Sequence, residues 1–406
     1  MKKSTICLDI IVRNEAPVIE RMLDTVIDVI DYYIIVDTGS EDNTVEVIKN
    51  YFKDKDIDGE LHEREWVNFG HNRTEALNLA LGKADYILTI DADEELIIEN
   101  KEVFHSLTKD QYLIKITMNN NGFSWDRPGL LRITEDIWEW KGAVHNYVSC
   151  KSGSCQHGGT LEGVKIISHV ENTGKSYNVT SKQKYLNDAK LLADELERNP
   201  SSTRSQFYLA QSYRDAGEVD LAIEHYAKRV AMGGWPEEVY MSQLYKGNLM
   251  INAGDKYTEE EIFGALTKAW CLRPHRAESL FHLTRFARMS GHPLQADLFA
   301  KVGVKLPIPE KDILFVQEDI YKWRLYDEYS IICYKLNNKD DCLISIYNVF
   351  THMQENPKSI PSREKERLLM NANYSVRKFL ETGEELNKSE NEILSILREY
   401  FIKKAM

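Results

Sequence analysis

Residues 86–95, YILTIDADEE, decide the fold class of this 406-residue chain. The β-branched and aromatic run from Tyr86 to Ile90 is typical of a strand buried on both faces of a parallel sheet. It ends abruptly at Asp91 and Asp93. Ligands of open α/β sheets bind beyond the carboxyl ends of the strands, and carboxylate oxygens suit Mg²⁺ or Mn²⁺. The stretch therefore predicts a strand that is followed by an acidic metal site, although an ordinary acidic turn after a strand would have the same sequence pattern.

Two strand-and-loop units of the same form lie upstream. Residues 6–12, ICLDIIV, run into residues 13–15, RNE, and residues 33–36, YIIV, run into Asp37. Strand, helix and strand in this order imply a right-handed parallel crossover, so we expect Asp37 beside the same crevice as Asp91. The apolar residues between the two strands form one continuous helical face: Ile19, Met22, Leu23, Val26, Ile27 and Ile30.

Four short segments occur in the order and spacing of a known family. They are residues 12–15, VRNE, residues 36–44, VDTGSEDNT, residues 68–73, NFGHNR, and residues 91–94, DADE. On these segments the chain resembles a family 2 glycosyltransferase with the GT-A fold, over about residues 5–175. The resemblance implies an α/β, Rossmann-like domain that binds a nucleoside-diphosphate sugar together with Mn²⁺ or Mg²⁺.

The resemblance also implies roles for individual residues. Asp37 contacts the base of the sugar nucleotide, Arg73 faces the diphosphate, and Asp91 reaches the ribose or the water shell of the metal. Asp93 ligates the metal directly, and His169 closes the metal shell. Taken singly, each has a structural alternative as a turn residue, a solvated helix charge or a structural histidine. The implied donor site comprises Ile11, Val12, Arg13, Glu15, Asp37, Arg73, Asp91 and Ala92.

An inverting transferase needs a base that takes the proton of the acceptor. In related chains with a helical-repeat tail, an aromatic or acidic residue is followed by Gly and then Val-His-Glu. Residues 138–146, WEWKGAVHN, resemble that segment, but Asn146 replaces the glutamate. The candidates for the base are therefore Glu139 and His145, with Asp126 behind them. Two arginines near Asp126 either steady the leaving diphosphate or are surface charges: Arg127 and Arg132.

From about residue 176, strand-like runs give way to helical patterns separated by Gly, Pro and Asn. Residues 207–227 fit a tetratricopeptide helix–turn–helix. Such a solenoid either buries its aromatic stripes in its own core or offers a groove to an acceptor or a second subunit. We predict a GT-A domain at 1–175 and an all-α tetratricopeptide-like solenoid at 176–406. Further pairs are expected at 244–274, 279–307 and 321–355, with closing helices through residue 400.

Composition narrows the class of protein. A net charge of −13 argues against a nucleic-acid acceptor, because such binding rests on clustered Lys and Arg. No run approaches about 18 uninterrupted apolar residues, so we expect no membrane span, and the first apolar run suits a core strand better than a signal peptide. The six cysteines lack the spacing of a secreted framework, which indicates reduced thiols and a cytoplasmic protein. A partial zinc site at Cys150, Cys155 and His157 is the weaker alternative.

The leading prediction is a metal-dependent inverting glycosyltransferase. It moves a sugar from a nucleoside-diphosphate donor, with uridine the nucleoside that the resemblance implies, to a protein, peptide or glycan acceptor. A homodimer is a reasonable expectation for a chain with exposed solenoid ends. The alternative from another class is a glycosyltransferase-like adaptor, weak or inactive in catalysis, that binds partners through its helical repeats. A nucleotidyltransferase using the same crevice is a third hypothesis.

Overall fold

The computed structural model describes residues 3–118, 124–169, 179–357 and 359–379, together with the single positions 391, 393 and 395. The chain divides into two compact units, Met1–Glu218 and Val219–Met406. The boundary predicted between residues 175 and 176 lies outside the described residues. The predicted domain limits therefore stay a proposal. The first unit includes two helices that the sequence assigns to the repeat domain, Ser181–Arg198 and Thr203–Asp215.

A mixed sheet forms the centre of the first unit, and the described residues supply eight strands in the order β3-β2-β1-β4-β7-β6-β10-β5. The first four strands run parallel, whereas β7 is antiparallel to both β4 and β6. β10 is parallel to β6 and antiparallel to β5. The strands are β1 (Ile6–Val12), β2 (Tyr32–Asp37), β3 (Asp58–Glu63), β4 (Tyr86–Thr89), β5 (Glu94–Ile98), β6 (Gln111–Met118), β7 (Ser124–Arg132) and β10 (His157–Ser168).

The predicted α/β class is confirmed, and the decisive run of the sequence is β4 at the middle of the sheet. The sheet is not parallel throughout, because β7 returns beside β4 in the opposite direction. Helices α1 (Ile19–Val26) and α2 (Thr44–Lys53) bury their apolar residues on one face of the sheet. Helix α3 (Phe69–Ala80) buries small and branched residues on the other face. Apolar side chains on both faces explain why β1, β2 and β4 are nearly continuous hydrophobic runs.

A two-stranded ribbon and two helices complete the first unit. The ribbon pairs β8 (Trp138–Lys141) with β9 (Tyr147–Cys150), and α3 packs on β8. Helices α4 (Ser181–Arg198) and α5 (Thr203–Asp215) pack on each other. Val144, in the turn of the ribbon, lies in an apolar cluster with residues of both helices. The turn of the ribbon is therefore attached to the first helix pair.

The prediction that all six cysteines are reduced thiols is wrong for two of them. Cys150 and Cys155 form a disulfide that closes the loop from β9 to β10. The turn at Gly153, with φ of +73°, brings the two side chains together across a separation of five residues. The disulfide also removes the alternative of a zinc site that uses these two thiolates. The other four cysteines are free: Cys7, Cys271, Cys333 and Cys342.

The second unit is helical in the part of the chain that the structure describes. Successive helices pack as pairs, α7 on α8, α9 on α10 and α11 on α12, as the repeat pattern predicts. Among the described helices, none has both the length and the hydropathy needed to cross a bilayer. The helices are α6 (Val219–Met232), α7 (Pro236–Asn252), α8 (Glu259–Leu272), α9 (Ala277–Met289), α10 (Pro293–Gly303), α11 (Leu325–Leu336), α12 (Lys339–Glu355) and α13 (Ser362–Phe379).

Candidate active site

The candidate donor residues lie at the carboxyl edge of the parallel strands. β1 lies between β2 and β4, and its register pairs Val12 with Asp37 and Asp9 with Thr89. Asp37 is the last residue of β2, and Asp91 follows β4 by two residues. Both acidic residues therefore emerge at the same edge of the sheet, where α/β proteins bind their ligands.

The carboxylate of Asp37 is built into the turn that follows β2. One oxygen accepts hydrogen bonds from the backbone N–H groups of Gly39 and Ser40, each at 3.0 Å, and the other accepts from the Ser40 hydroxyl. Gly39 has φ of +99°, which favours glycine at this position. Asp37 is 3% exposed. It therefore fixes the shape of the loop, and a contact with the base of a nucleotide stays a prediction.

The loop after β1 is tied to the loop after β2. The backbone N–H of Asn14 donates to the Ser40 hydroxyl at 2.9 Å, and the Asn14 side chain accepts from the N–H of Glu41 at 2.8 Å. The N–H of Glu15 donates to the Thr44 hydroxyl at 2.8 Å. These bonds hold residues 11–15 as one wall of the crevice. Within this wall Val12 is buried, Ile11, Arg13 and Glu15 are half-buried, and the Arg13 guanidinium lies 3.9 Å from the Glu41 carboxylate.

Two arginines converge on Asp91. Arg73, from α3, and Arg127, from β7, each donate to one oxygen of its carboxylate, Arg127 at 3.3 Å. Arg127 also binds both oxygens of Glu94, at 2.6 and 3.2 Å. Burial alone would raise the pKa of Asp91, but the two guanidinium groups outweigh burial and hold its pKa at about 2. Asp91 is therefore a carboxylate at all ordinary pH values.

Glu94 is a site residue that the sequence reasoning missed. It is 3% exposed, and its carboxylate accepts a hydrogen bond from the N–H of Asp91 at 2.9 Å. Burial raises its pKa to about 7, aided by the charge of Asp91 and opposed by Arg127. The signal in the sequence was the acidic residue directly after the Asp-x-Asp motif. Arg127 is correspondingly not the surface charge that one alternative proposed, because it joins β7 to this acidic cluster.

The backbones of Asp93 and His169 lie side by side. β5 pairs with β10 so that Glu94 faces Ser168, and the N–H of His169 donates to the carbonyl oxygen of Asp93 at 3.3 Å. The His169 ring lies 3.2 Å from the carboxylate of Glu95. Ala92 is 5% exposed and packs into the core. Among the described residues, no three His, Cys, Asp or Glu side chains form a group that would hold a metal ion by themselves.

The three candidates for the base lie on three different elements. Asp126, on β7, is exposed and accepts a hydrogen bond from the Thr160 hydroxyl at 3.2 Å. Glu139, on β8, forms an ion pair with Lys141 at 2.7 Å. His145 lies in the turn of the ribbon with φ of +51°, in the left-handed region. The identity of the base among these three candidates stays a prediction.

Helices α4 and α5 hold the turn that carries His145. The His145 ring stacks on Tyr208, with ring centroids 4.1 Å apart. Arg204 donates to the carbonyl oxygen of His145 at 3.0 Å and lies over the Tyr208 ring at 4.8 Å. Glu195 accepts from the N–H of Ala143 at 2.7 Å and from the Ser205 hydroxyl at 2.9 Å. Residues outside the sheet thus fix the position of one candidate for the base.

Trp140 joins this ribbon to Arg73. The Arg73 guanidinium lies 5.2 Å from the centre of the indole ring, in cation–π geometry. The first turn of α3 approaches the ribbon so closely that a Cβ on Gly70 would lie 2.8 Å from the carbonyl oxygen of Gly142. Thr74 also bonds to Trp140, because its hydroxyl accepts from the backbone N–H of Trp140 at 2.9 Å. Arg73 therefore packs between the ribbon and the acidic cluster.

Comparison with known proteins agrees with the interpretation of the part of the chain that forms the sheet. Residues 8–114 match the family model described as Glycosyl transferase family 2, so the chain carries a domain of that family. An uncharacterized glycosyltransferase of Rickettsia felis is 32% identical over 108 residues, which are 26% of this chain and 35% of that protein. A TPR repeat-containing protein of Synechococcus elongatus is 37% identical over 100 residues, 24% of this chain and 22% of that protein. The chain thus spans about a third or less of the length of these relatives.

Solved structures that resemble part of this chain include the following two. The crystal structure of S. aureus TarS in complex with UDP-GlcNAc has a TM-score of 0.38 and 14% identity, over 61% of this chain and 86% of that one. The TPR protein YrrB, described with an unusual peptide-binding site, has a TM-score of 0.37 and 13% identity, over 52% of this chain and 92% of that one. At these TM-scores neither likeness adds to what the strand order itself shows.

Proposed function

We propose that the protein is an inverting, metal-dependent glycosyltransferase that moves a sugar from a nucleoside-diphosphate donor to a protein, peptide or glycan acceptor. The observation that carries the proposal is the Asp91 cluster. Asp91 lies within the segment that matches the family model, at the same sheet edge as Asp37, and it is held by Arg73 and Arg127. Arginines and a carboxylate at the carboxyl edge of the strands suit a ligand that contains anionic phosphates, because α/β proteins bind their ligands at this edge.

The donor site of the proposal has a base end and a diphosphate end. Asp37 and the wall of residues 11–15 receive the base, for which the family resemblance favours uracil. Arg73 faces the diphosphate, and Asp91 with the Ala92 backbone reaches the ribose. Because Asp37 and Asp91 already fix loops and arginines through hydrogen bonds, the site is preorganised and needs little rearrangement to accept a ligand.

The residues near the acidic motif fit a divalent cation of the Mg²⁺ or Mn²⁺ type. Asp93 and His169 are neighbours through a backbone hydrogen bond just beyond the paired ends of β5 and β10, and they would supply the protein ligands. Cations of this kind are commonly held by one or two carboxylates together with the phosphates of the substrate. When bound, such a cation would neutralise charge that develops on the departing nucleoside diphosphate. We rank Asp91 behind them as a metal ligand, because two arginines already engage its oxygens.

Inversion requires one displacement, in which an acceptor atom attacks the anomeric carbon, a base removes the proton of the acceptor, and the bond from that carbon to the departing nucleoside diphosphate breaks. Among the three candidates, His145 has the best-supported position, because α4 and α5 hold its turn through Arg204, Tyr208 and Glu195. Glu139 is engaged by Lys141. We therefore propose His145 as the base, with Glu139 and Asp126 as the alternatives.

The adaptor remains the second candidate function. Asn146 stands where related chains carry a glutamate, which favours weakened catalysis, and paired helices such as those of the second unit are common partner-binding surfaces. A homodimer belongs to the same proposal. We propose the cytoplasm as the location because four cysteines are free, while the disulfide is the observation against it.

Product analysis of the full chain tests the proposal. The protein is incubated with a panel of sugar nucleotides and Mn²⁺ or Mg²⁺, with and without a chelator, and the released nucleotide is identified. We expect nucleoside diphosphate from at least one donor, and we expect the chelator to suppress its release. Release of pyrophosphate would instead indicate a nucleotidyltransferase. No turnover, together with no thermal stabilisation by UDP and Mn²⁺, would support the adaptor, because a ligand of the folded state raises the melting temperature.

A further inference from the structure

Residues 306–317 form an insertion between α10 and α11 that has no regular secondary structure. The neighbouring connections are short, because residues 290–292 join α9 to α10 and residues 337–338 join α11 to α12. Insertions into helical repeats often lie on the face that binds a partner, and irregular loops of about 12 residues or more are often functional. The insertion is therefore a candidate functional segment of the second unit.

Two carboxylates near the beginnings of α7 and α9 bind N–H groups of the insertion. Glu237 accepts from the backbone N–H groups of Ile313 and Leu314, at 2.9 and 2.7 Å. Glu278 accepts from the backbone N–H of Gln317 at 3.1 Å. Both carboxylates are buried, Glu237 at 6% exposure and Glu278 at 0%. Because buried charges need hydrogen-bond partners, these two positions of the helices are suited to receive main-chain N–H groups.

Arg276, directly before α9, binds carbonyl groups of the same stretch. Its guanidinium is buried and donates to the carbonyl oxygens of Leu314 and Phe315, at 3.2 and 3.3 Å. It also binds both oxygens of Glu278, at 2.7 and 2.9 Å. Arg276 would therefore keep a partner of opposite charge if the insertion left, so that no buried charge would be stranded.

Asp312 is the charged anchor of the insertion. It is 7% exposed, and Arg273 binds both of its oxygens, one of them at 2.8 Å. Arg276 donates to it at 3.4 Å, and the His275 ring lies 3.3 Å from it. Burial raises the pKa of Asp312, but the hydrogen bonds and charges of these groups outweigh burial and hold its pKa at about 2. The pocket therefore suits an ionised carboxylate.

Two apolar side chains of the insertion are exposed instead of buried. Ile313 is 79% exposed and Phe315 is 40% exposed. Phe315 also has φ of +49°, in the left-handed region, which is unfavourable for an aromatic residue. The insertion is thus held mainly by its main chain and by one carboxylate. Another extended peptide with an aspartate can supply the same groups, because main-chain hydrogen bonds do not depend on the sequence of the peptide.

We propose that the beginnings of α7 and α9 form a binding site for an extended polypeptide that carries an aspartate, and that the insertion occupies this site as an internal ligand. Charge complementarity identifies the partner. Its carboxylate enters the pocket of Arg273, His275 and Arg276, and its main chain meets Glu237 and Glu278. Helical-repeat surfaces often bind partners. The inference goes beyond the transferase proposal and does not depend on it, because it concerns binding by the second unit alone.

The insertion competes with an outside partner because it is tethered to the site. A short flexible tether gives an effective concentration of about 1 mM, so a peptide at micromolar concentration should not displace it from the unaltered protein. Asp312→Asn keeps the shape of the side chain but removes the charge that the pocket binds. It should weaken the internal ligand by about tenfold or more, as expected for the loss of hydrogen bonds to a charged group.

Fluorescence anisotropy of a labelled peptide tests the inference on the full chain. The peptide has the sequence of residues 310–318 and is titrated with the unaltered protein, with Asp312→Asn and with Asp255→Asn. The last of these makes the same change at an exposed position of the second unit and is the matched control. A second peptide has asparagine in place of its aspartate.

We expect the aspartate peptide to bind Asp312→Asn at least about tenfold more tightly than it binds the unaltered or control protein. The asparagine peptide should bind Asp312→Asn more weakly than the aspartate peptide does, because it cannot fill the carboxylate pocket. Adding Arg273→Ala to Asp312→Asn should abolish the gain, because Arg273 binds both oxygens of the carboxylate.

A second variant replaces residues 312–316 with a Gly-Ser linker of equal length and so removes the internal ligand entirely. It should bind the aspartate peptide at least as tightly as Asp312→Asn does, and circular dichroism with thermal unfolding checks that each variant is folded. Absence of binding to the folded variants, or equal binding of the two peptides, would overturn the inference. Failure of both variants to fold would overturn it as well, because the insertion would then be a permanent part of the fold.

Discussion

Replacing Asp9 by asparagine should change the pH dependence of stability of the first unit. Asp9 lies in the middle of β1, is 4% exposed, and has one carboxylate oxygen without a hydrogen bond. Its side chain points to the same sheet face as that of Cys7, the face that α3 covers. Burial raises the pKa of Asp9 to about 7, and the charge of Arg73 opposes this rise. Folded Asp9 therefore keeps a proton that the unfolded chain has already lost.

The sign and size of the effect follow from proton linkage. Between the ordinary pKa of 3.8 and about 7, the folded chain binds more protons than the unfolded chain, so the free energy of unfolding falls as the pH rises. The interval spans about three pH units at about 1.36 kcal/mol each, which sets an upper limit of about 4 kcal/mol. Asparagine cannot ionise. The gain in stability of Asp9→Asn over the unaltered protein should grow from near zero at about pH 4 to a plateau above about pH 7.

Amide hydrogen exchange of a peptide that covers β2 is the assay, because β2 pairs with β1 and reports on the sheet independently of the helical unit. The sequence of β2 is the same in both proteins, so the intrinsic exchange rate cancels when the two are compared at each pH. Asp56→Asn, at an exposed position, is the matched control and should show no growing difference. If the difference in sheet stability between Asp9→Asn and the unaltered protein stayed constant from pH 5 to pH 8, the conclusion that Asp9 is buried and protonated would be refuted.

Two further substitutions test the packing and the chemistry around the ribbon. Gly70→Ala should destabilise the first unit by about 1–3 kcal/mol in thermal or urea unfolding, because the new Cβ would lie 2.8 Å from a backbone oxygen. Gly264→Ala, where a Cβ meets nothing within 4 Å, is its control and should be neutral or stabilising; equal losses would contradict the close contact. His145→Ala should lower the rate of transfer to acceptor by about 10²–10⁴-fold, the usual contribution of a base, with little change in the affinity for UDP. Equal losses in both would assign His145 to the donor site.

Much of the first half of the sheet was predictable because its pattern is local. β1, β2 and β4 are apolar on both faces, and the buried apolar residues of α1 recur at helical spacing. Each element can therefore be recognised from about ten residues of sequence. The crossover rule then places Asp37 and Asp91 at one edge. β5 was missed because it begins at Glu94, inside what the sequence shows as an acidic loop. Its strand character depends on pairing with β10, far along the chain.

The contacts that complete the candidate site are long-range, and no short pattern encodes them. Arg127 reaches Glu94 across 33 residues, and Glu195 reaches Ala143 across 52. The sequence therefore left Arg127 undecided between two roles and assigned Glu195 to a separate repeat domain. The disulfide was missed for a different reason. Cysteine spacing was judged over the whole chain, whereas Cys150 and Cys155 meet through one local turn at Gly153.

The central claim is that carboxylates at the strand ends bind a cation together with an activated sugar. Its most direct test is calorimetric titration of UDP in the presence of Mn²⁺ into the unaltered protein and into Asp93→Ala, with the same change at exposed Asp56 as control. We expect UDP to bind the unaltered and control proteins only when Mn²⁺ is present, and we expect folded Asp93→Ala to lose the Mn²⁺-dependent part of that affinity. Manganese-dependent binding of UDP that is undiminished in folded Asp93→Ala would contradict the claim.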